Sequence, residues 1–290
     1  MSKLTCKAYA KLNLTLDITG VRSDGYHLMD MLMTTVSLYD TLTVETTPEG
    51  ITASCDDPTL PTDMSNIVCK SAKAFFDATK VSGGCHIHLQ KRIPMQAGMG
   101  GGSSDGAAVL MALNELYQTG LTRPQLCEIG VKVGADIPFI IMGGAARVRG
   151  IGDLITKLSA LPKCWFVTCM PEEGISTKEA FAAFDSLKSP FHPATDRAQQ
   201  GIDTNNYSLL ASNLGNAMEE ALRPKAVQLM KRQLVLAGAD AACMTGSGAA
   251  VFGIFKTEEQ AQKAAEILAG QGIAASVCAP TDEGVAFIAE

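Results

Sequence analysis

The chain has 290 residues, 47% hydrophobic and 19% charged, with a formal net charge of -6. That is globular composition with enough apolar content for a real core, and it excludes a disordered chain. The acidic balance argues against a general nucleic-acid binder. Nine cysteines, an odd number with no Cys-x-x-Cys spacing, read as reduced thiols of a cytoplasmic protein and not as a disulfide framework. The start Met1-Ser2-Lys3-Leu4-Thr5-Cys6-Lys7 lacks the apolar segment of a signal peptide. No apolar run approaches bilayer-spanning length, so no membrane partner is expected.

Lys11-Leu12-Asn13-Leu14-Thr15-Leu16-Asp17-Ile18 alternates strictly. The pattern predicts a half-buried strand that aims an ammonium and an amide the same way. From this segment alone, Lys11 reads as part of a solvated strand face. Arg22-Ser23-Asp24-Gly25-Tyr26-His27 turns at Asp-Gly. Its Tyr-His pair suits stacking on and hydrogen-bonding a ring, but on physics alone a packing tyrosine and a surface histidine are the favoured reading. Residues 31–38 and 40–44 read as further strands and 56–66 as a loop, with Ser65-Asn66 capping a helix over 67–78. His86 and His88 share a strand face, but no matching ligand pair lies nearby, so no metal is expected there.

Lys91-Arg92 ends that strand and leads into Pro94-Met95-Gln96-Ala97-Gly98-Met99-Gly100-Gly101-Gly102-Ser103-Ser104-Asp105. Directly afterwards, residues 106–117 carry a helical apolar pattern. A glycine loop feeding a helix N-terminus presents a row of backbone N–H groups that, with the helix dipole, suits a phosphate. Ser103, Ser104 or Asp105 is expected to cap the helix. Thr122-Arg123-Pro124-Gln125 resembles a capping box. In Gly134-Ala135-Asp136-Ile137-Pro138-Phe139, Asp136 has the look of an N-cap, with proline in the first turn.

Residues 140–148 read as a strand, 164–170 as a buried strand, 176–184 as a helix and 188–206 as an exposed loop. Helices are expected over 207–221 and 224–237, then a glycine turn, Met244-Thr245-Gly246-Ser247-Gly248, entering a strand. A helix over 258–269 and a strand over 273–278 complete an α+β layer.

The glycine loop is not a Walker A motif, because Gly-Lys-Ser/Thr never follows. It fits a dinucleotide fingerprint badly, since Ser103 stands where a third glycine should be. Protein-kinase signatures are missing too.

These residues resemble the GHMP kinase superfamily. Pro94 to Ser104 is similar to its ATP-binding motif, and Met244 to Gly248 to its C-terminal glycine motif. Lys11-Leu12-Asn13-Leu14, Arg22-Ser23-Asp24-Gly25-Tyr26-His27 and the segment around Asp136 resemble the branch that acts on a cytidine diphosphate sugar alcohol. The Arg-x-Asp-Gly-Tyr-His element discriminates that branch. The resemblance implies a two-domain α+β fold, with a ribosomal protein S5 domain 2-like N-terminal domain over 1–157 and a ferredoxin-like C-terminal domain over 158–290. ATP and substrate would lie between them.

The implied reaction moves the ATP γ-phosphoryl group to the 2-hydroxyl of 4-diphosphocytidyl-2-C-methyl-D-erythritol, a step of the non-mevalonate route to isoprenoid precursors. By the same resemblance, Asp136 accepts the hydroxyl proton and Lys11 holds it ionised and steadies transferring charge. A carboxylate beside an ammonium is a weak ground-state base, so it would orient the hydroxyl and take the proton late. Asn13 would position the methylerythritol part. Tyr26 and His27 would stack on and hydrogen-bond the cytosine, with Phe181 as the opposite wall. Asn66, Lys91, Pro94, Gly98, Gly100, Gly101, Gly102, Ser103 and Ser104 would contact ATP, with Ser104 the expected Mg2+ ligand and Asp105 a second possibility. Gly106 stands where alanine is expected.

The implied partner is a small molecule bearing a cytidine diphosphate, and the protein is expected to be a monomer or homodimer. Another GHMP kinase is the nearest rival, and Arg22 to His27 argues against it. A nucleotide sensor on a kinase scaffold would be expected to have lost its lysine or its aspartate, yet Lys11 and Asp136 are both present.

Overall fold

The computed structural model describes residues 2–172 and 174–288. The chain opens with two long strands, β1 (Lys3–Val21) and β2 (His27–Thr47), followed by β3 (Ile51–Cys55), α1 (Ile67–Thr79), β4 (Gly84–Gln90) and α2 (Gly101–Leu116). Then come α3 (Arg123–Gly130), α4 (Ile137–Met142), β5 (Ala145–Gly150), β6 (Leu154–Lys157), β7 (Trp165–Cys169), α5 (Thr177–Asp185) and α6 (Thr195–Asp203). The remainder is α7 (Tyr207–Ala211), β8 (Gly215–Asn216), α8 (Ala217–Leu222), α9 (Lys225–Leu236), β9 (Ala241–Met244) and β10 (Val251–Phe255). It ends with α10 (Glu258–Gly270), β11 (Ala275–Cys278), β12 (Pro280–Thr281) and β13 (Val285–Ile288).

The fold is α+β and built on two sheets. The first runs β13-β1-β2-β4-β3, with β5 and β12 on β2, β6 on β5 and β8 on β1. The second is the antiparallel sheet β11-β7-β10-β9, covered by α9 and α10 in the ferredoxin-like manner. The end of the chain, read from sequence as part of the second domain, does not stay there: β12 pairs with β2 and β13 with β1. Val285, a buried apolar residue on β13, joins the core of the first sheet, which gives the returning chain its reason to dock.

The alternation of β1 is real, but the strand is not half-solvated. Lys11, Asn13, Thr15 and Asp17 are all buried. Cys6 and Ala8 pack into the larger core, Ala10, Leu12 and Leu14 into a second one, and Leu16 and Ile18 into the larger core again. Register breaks between Tyr9 and Ala10 and between Asn13 and Thr15 mark the two switches. A bulge re-aims side chains because the pleat has period two, so a slip reverses which face each residue takes.

Other local readings changed under tertiary packing. The two strands expected over 31–44 are one, β2. The helix expected to start after Asp136 is α4, and it runs to Met142, so the strand expected over 140–148 begins only at Ala145. The supposed loop at 188–206 contains α6, whose Ala198 and Ile202 are buried in the second core. His86 and His88 hydrogen-bond the Ser54 hydroxyl of the neighbouring strand, and His86 also that of Thr52. The capping box at Thr122 and Gln125 is present as expected.

Candidate active site

A cleft of about 890 Å³ lies between the first sheet and the turn that joins β9 to β10, with α5 at its side. β1 contributes Lys11 and Asn13, the α1 cap contributes Asn66, and the end of β4 contributes Lys91. Pro94 and the run Gly98 to Ser103 form one wall, and Asp136 and Phe181 lie on others. Ser104, Tyr26 and His27 are not among the lining residues.

The glycine loop works differently from the expected serine or aspartate cap. α2 begins at Gly101, so the glycines and serines are themselves its first turn. The N-cap is Gly100, left-handed at φ 72°, with no side-chain cap bond. The first intrahelical bond runs from Ser104 N–H to Gly100 O. The amides of Gly101, Gly102 and Ser103 therefore have no intrahelical acceptor, and with no side chain capping them they stand ready for an anion.

Two of the glycines are required by close approach. A Cβ at Gly98 would lie 2.2 Å from Thr245 O, where the second glycine turn crosses the first. A Cβ at Gly100 would lie 2.9 Å from Lys11 Cγ, so this glycine lets the lysine run past the loop.

Ser104 does not fit the metal-ligand role. It is fully buried, and its hydroxyl lies within hydrogen-bond reach of Tyr9 O at 2.7 Å and Gly100 O at 3.1 Å, as a donor. A hydroxyl committed to the helix and to β1 stitches the loop to the sheet. Asp105 is also buried: one oxygen accepts from Lys91 Nζ at 2.8 Å and the other has no partner. Lys91 is held a second time by Asp40, a buried residue of β2 that no local pattern singles out. Asp40 also accepts the Arg92 and Ile93 N–H groups, fixing the chain where it approaches the loop. Burial works to lower the Lys91 pKa, but its two carboxylates outweigh it and hold the ammonium above its usual range. For Asp105, burial, with Asp40 beside it, overcomes the pull of Lys91 and pushes the carboxyl up to about 8.

The Asn66 amide is spent on structure: Oδ1 accepts from Val68 N–H and Nδ2 donates to Pro61 O.

Asp136 occupies the N-cap position of α4, but its side chain makes no cap bond, with φ -83° and ψ -12°. The carboxylate is left free, one third exposed, 3.8 Å from Lys11 Nζ. Lys11 makes its short contact elsewhere, donating to Asn13 Oδ1 at 2.6 Å. Burial pushes the Lys11 ammonium below its ordinary pKa of 10.5, with Asp136 pulling partly back. Asn13 Nδ2 has only the Met31 thioether, a weak acceptor, at 3.3 Å.

His27 and Phe181 are brought together, though 154 residues separate their numbers; their ring centroids are 4.3 Å apart at 24°. His27 Nε2 also lies 2.8 Å from Asp185 Oδ1. Tyr26 stands 61% exposed on the turn outside the cleft. The face of Phe181 expected to meet a base is thus covered by His27.

An open helix terminus, an aspartate and a buried lysine around one cleft define a small-molecule kinase. Comparison with known proteins agrees. Residues 66–144 match the GHMP kinases N-terminal domain, and residues 198–274 the GHMP kinases C-terminal domain. A 4-diphosphocytidyl-2-C-methyl-D-erythritol kinase from Clostridium botulinum (strain Alaska E43 / Type E3) is 41% identical over 262 residues, 90% of this chain and 94% of that one. One from Clostridium tetani (strain Massachusetts / E88) is 40% identical, covering 88% and 92%. A crystal structure of 4-(cytidine 5'-diphospho)-2C-methyl-D-erythritol kinase superposes with a TM-score of 0.81 at 30% identity, covering 96% of this chain and 99% of that one. The chain belongs to the GHMP kinases and, within them, to the family of 4-diphosphocytidyl-2-C-methyl-D-erythritol kinases.

Proposed function

We propose that this protein transfers the γ-phosphoryl group of ATP to the 2-hydroxyl of 4-diphosphocytidyl-2-C-methyl-D-erythritol, supplying the non-mevalonate route to isoprenoid precursors. The observation that carries the chemistry is the placement of Lys11, Asn13 and Asp136 in the same cleft as the uncapped α2 terminus. The names of its relatives supply the substrate.

Phosphoryl transfer demands alignment and charge neutralisation more than covalent help. The amides of Gly101 to Ser103 bind the ATP phosphates, and Lys91 offers them the one ammonium hydrogen that Asp40 and Asp105 leave over. Asp136 accepts a hydrogen bond from the 2-hydroxyl and aims its oxygen at the γ-phosphorus. As that O–P bond forms and the β–γ bridging bond breaks, the proton passes to Asp136 and ADP leaves. The Lys11 ammonium neutralises charge on the moving group, in a dry setting where it counts for more than in water. Asn13 holds that ammonium through Oδ1 and offers Nδ2 to the substrate.

Among the described residues no group of three or more His, Cys, Asp or Glu could cage a metal. Mg2+ needs no such cage when phosphates carry it, since one or two carboxylates and water suffice. The unpartnered Asp105 oxygen fits this: on giving up its proton, Asp105 would hold Mg2+, which would offset phosphate charge. Phe181, His27 and Tyr26 form the cytosine end, with His27 moving off Phe181 to admit the base. A cytoplasmic location accords with nine unpaired cysteines.

Incubation with γ-labelled ATP and a panel of alcohols tests the assignment. Label should pass to the cytidine diphosphate substrate and not to mevalonate or homoserine. Transfer to either of those alcohols with none to the cytidine compound would overturn it.

A further inference from the structure

The second glycine turn carries a residue that the proposed chemistry has not used. Thr245 lies between β9 and β10, fully buried. Its hydroxyl oxygen accepts the Asn13 backbone N–H at 3.0 Å. That N–H sits at the break in β1, where Asn13 pairs with Met33 and Thr15 with Leu32 while Leu14 is left over. A bulge frees backbone groups from the ladder, and here a side chain from the other sheet satisfies one of them. The Thr245 hydroxyl hydrogen has two acceptors in reach, Gly98 O at 3.3 Å and Asn13 Oδ1 at 3.4 Å.

Thr245 is itself pinned. Asn216 Nδ2 donates to Met244 O at 2.9 Å and to Gly246 O at 2.8 Å, the carbonyls on either side of it. The Asn216 Oδ1 accepts the N–H groups of Met218 and Glu219, and the Glu219 carboxylate accepts Met244 N–H at 2.8 Å. Hydrogen bonds from α8 thus fix the Thr245 turn, the Thr245 hydroxyl holds the Asn13 backbone, and the Asn13 Oδ1 in turn accepts from Lys11 Nζ at 2.6 Å. Beyond Lys11 stands Asp136.

We propose that Thr245 is a positioning residue for phosphoryl transfer: its hydroxyl completes the β1 bulge at Asn13 and thereby holds the Asn13 amide where it aims the Lys11 ammonium at the reacting groups. Its catalytic meaning rests on the kinase reading above, whereas its effect on Lys11 does not. The charged partner facing Lys11 is Asp136, at the start of α4; the glycine loop and the Thr245 turn packed against the lysine bring no titratable group. Lys91, Asp40 and Asp105 form their own cluster beside the first turn of α2. Without the threonine hydroxyl the amide swings, the ammonium loses its close acceptor, and its charged form is less favoured.

The test compares Thr245→Ser, which keeps the hydroxyl, with Thr245→Ala, which removes it without adding bulk. Protein labelled with 13C at lysine Cε is titrated by NMR, Lys11→Met identifying the resonance. The pKa of Lys11 should fall in Thr245→Ala and stay at the wild-type value in Thr245→Ser. In parallel, kcat should fall at least tenfold in Thr245→Ala with the KM for ATP within threefold, and Thr245→Ser should restore it. An unchanged Lys11 titration in folded Thr245→Ala, or equal losses of kcat in both variants, overturns the proposal. If Thr245→Ala does not fold, the serine variant decides: a Lys11 titration displaced despite the retained hydroxyl also overturns it. Wild-type protein that fails to phosphorylate the cytidine compound while the Lys11 titration behaves as stated would sink the substrate assignment instead.

Discussion

Lys11 Nζ stands 3.8 Å from the Asp136 carboxylate but 2.6 Å from Asn13 Oδ1, so the lysine is tethered to the amide and only faces the acid. The gap leaves Asp136 free to meet a hydroxyl. Asp136→Asn should fold and bind ATP normally while turnover falls by about 10²- to 10⁴-fold, the scale of a lost general base. Near-normal turnover in that variant would remove Asp136 as the proton acceptor. Lys11→Met should lower kcat far more than ATP affinity, read from steady-state kinetics beside nucleotide titration.

The His27–Phe181 stack occupies the surface that a cytosine would need. Phe181→Ala and Tyr26→Ala should each weaken binding of the cytidine substrate by roughly 1–3 kcal/mol, the usual worth of base stacking, with ATP binding unchanged. Calorimetry on both ligands measures this. Equal affinity in Tyr26→Ala would make that exposed tyrosine a bystander.

The Asp40–Lys91–Asp105 cluster sets a pH dependence of stability. Asp105 ionises near the ordinary aspartate value of 3.8 when unfolded and only at about 8 when folded. Between those values the native state binds the proton that the unfolded state has released. The Asp105 contribution is thus fully present at acid pH and is lost as pH rises through this window, by at most about 1.4 kcal/mol per unit. Urea unfolding at pH 5, 6.5 and 8 should show that decline in wild type and a flatter profile in Asp105→Asn. Parallel profiles would mean that the cluster is not the source.

Gly106, which replaces an expected alanine, has a tertiary explanation. A Cβ there would lie 2.7 Å from Ser71 Oγ and 3.0 Å from Ile137 Cδ1. Ser71 Oγ is buried and without a partner. Gly106→Ala alone should not realise the gain of about 1 kcal/mol that alanine offers in a helix. Adding Ser71→Ala should release it, so the double variant melts above both single ones. Additive effects would show that the two positions do not meet.

Local chemistry made part of the site legible before any fold was known. Glycines at 98 and 100–102 leading into an apolar-periodic run pointed to an anion site, because few sequences other than a phosphate cradle put that flexibility ahead of a helix. Alternation put Lys11 and Asn13 on one side of a strand, and the structure keeps them together. Asp40 carried no local signal, since its role depends on Lys91, 51 residues later. The family resemblance points Ser104 at the metal, but helical rotation turns it inward to Tyr9.

By itself, then, the sequence determined β1, α1, the glycine loop and the helix that follows it, through period, glycine content and capping residues that act over a few positions. The tertiary structure alone decided which way their residues face. Two of the three register breaks between β1 and β2 turn the alternating strand over and back, and only pairing with β2 sets where they fall. Asp136 reads as a helix cap, yet it is left uncapped and free beside Lys11. The Asn13 amide depends on Thr245, 232 residues away. Such contacts form when two sheets meet, and no local pattern encodes that meeting.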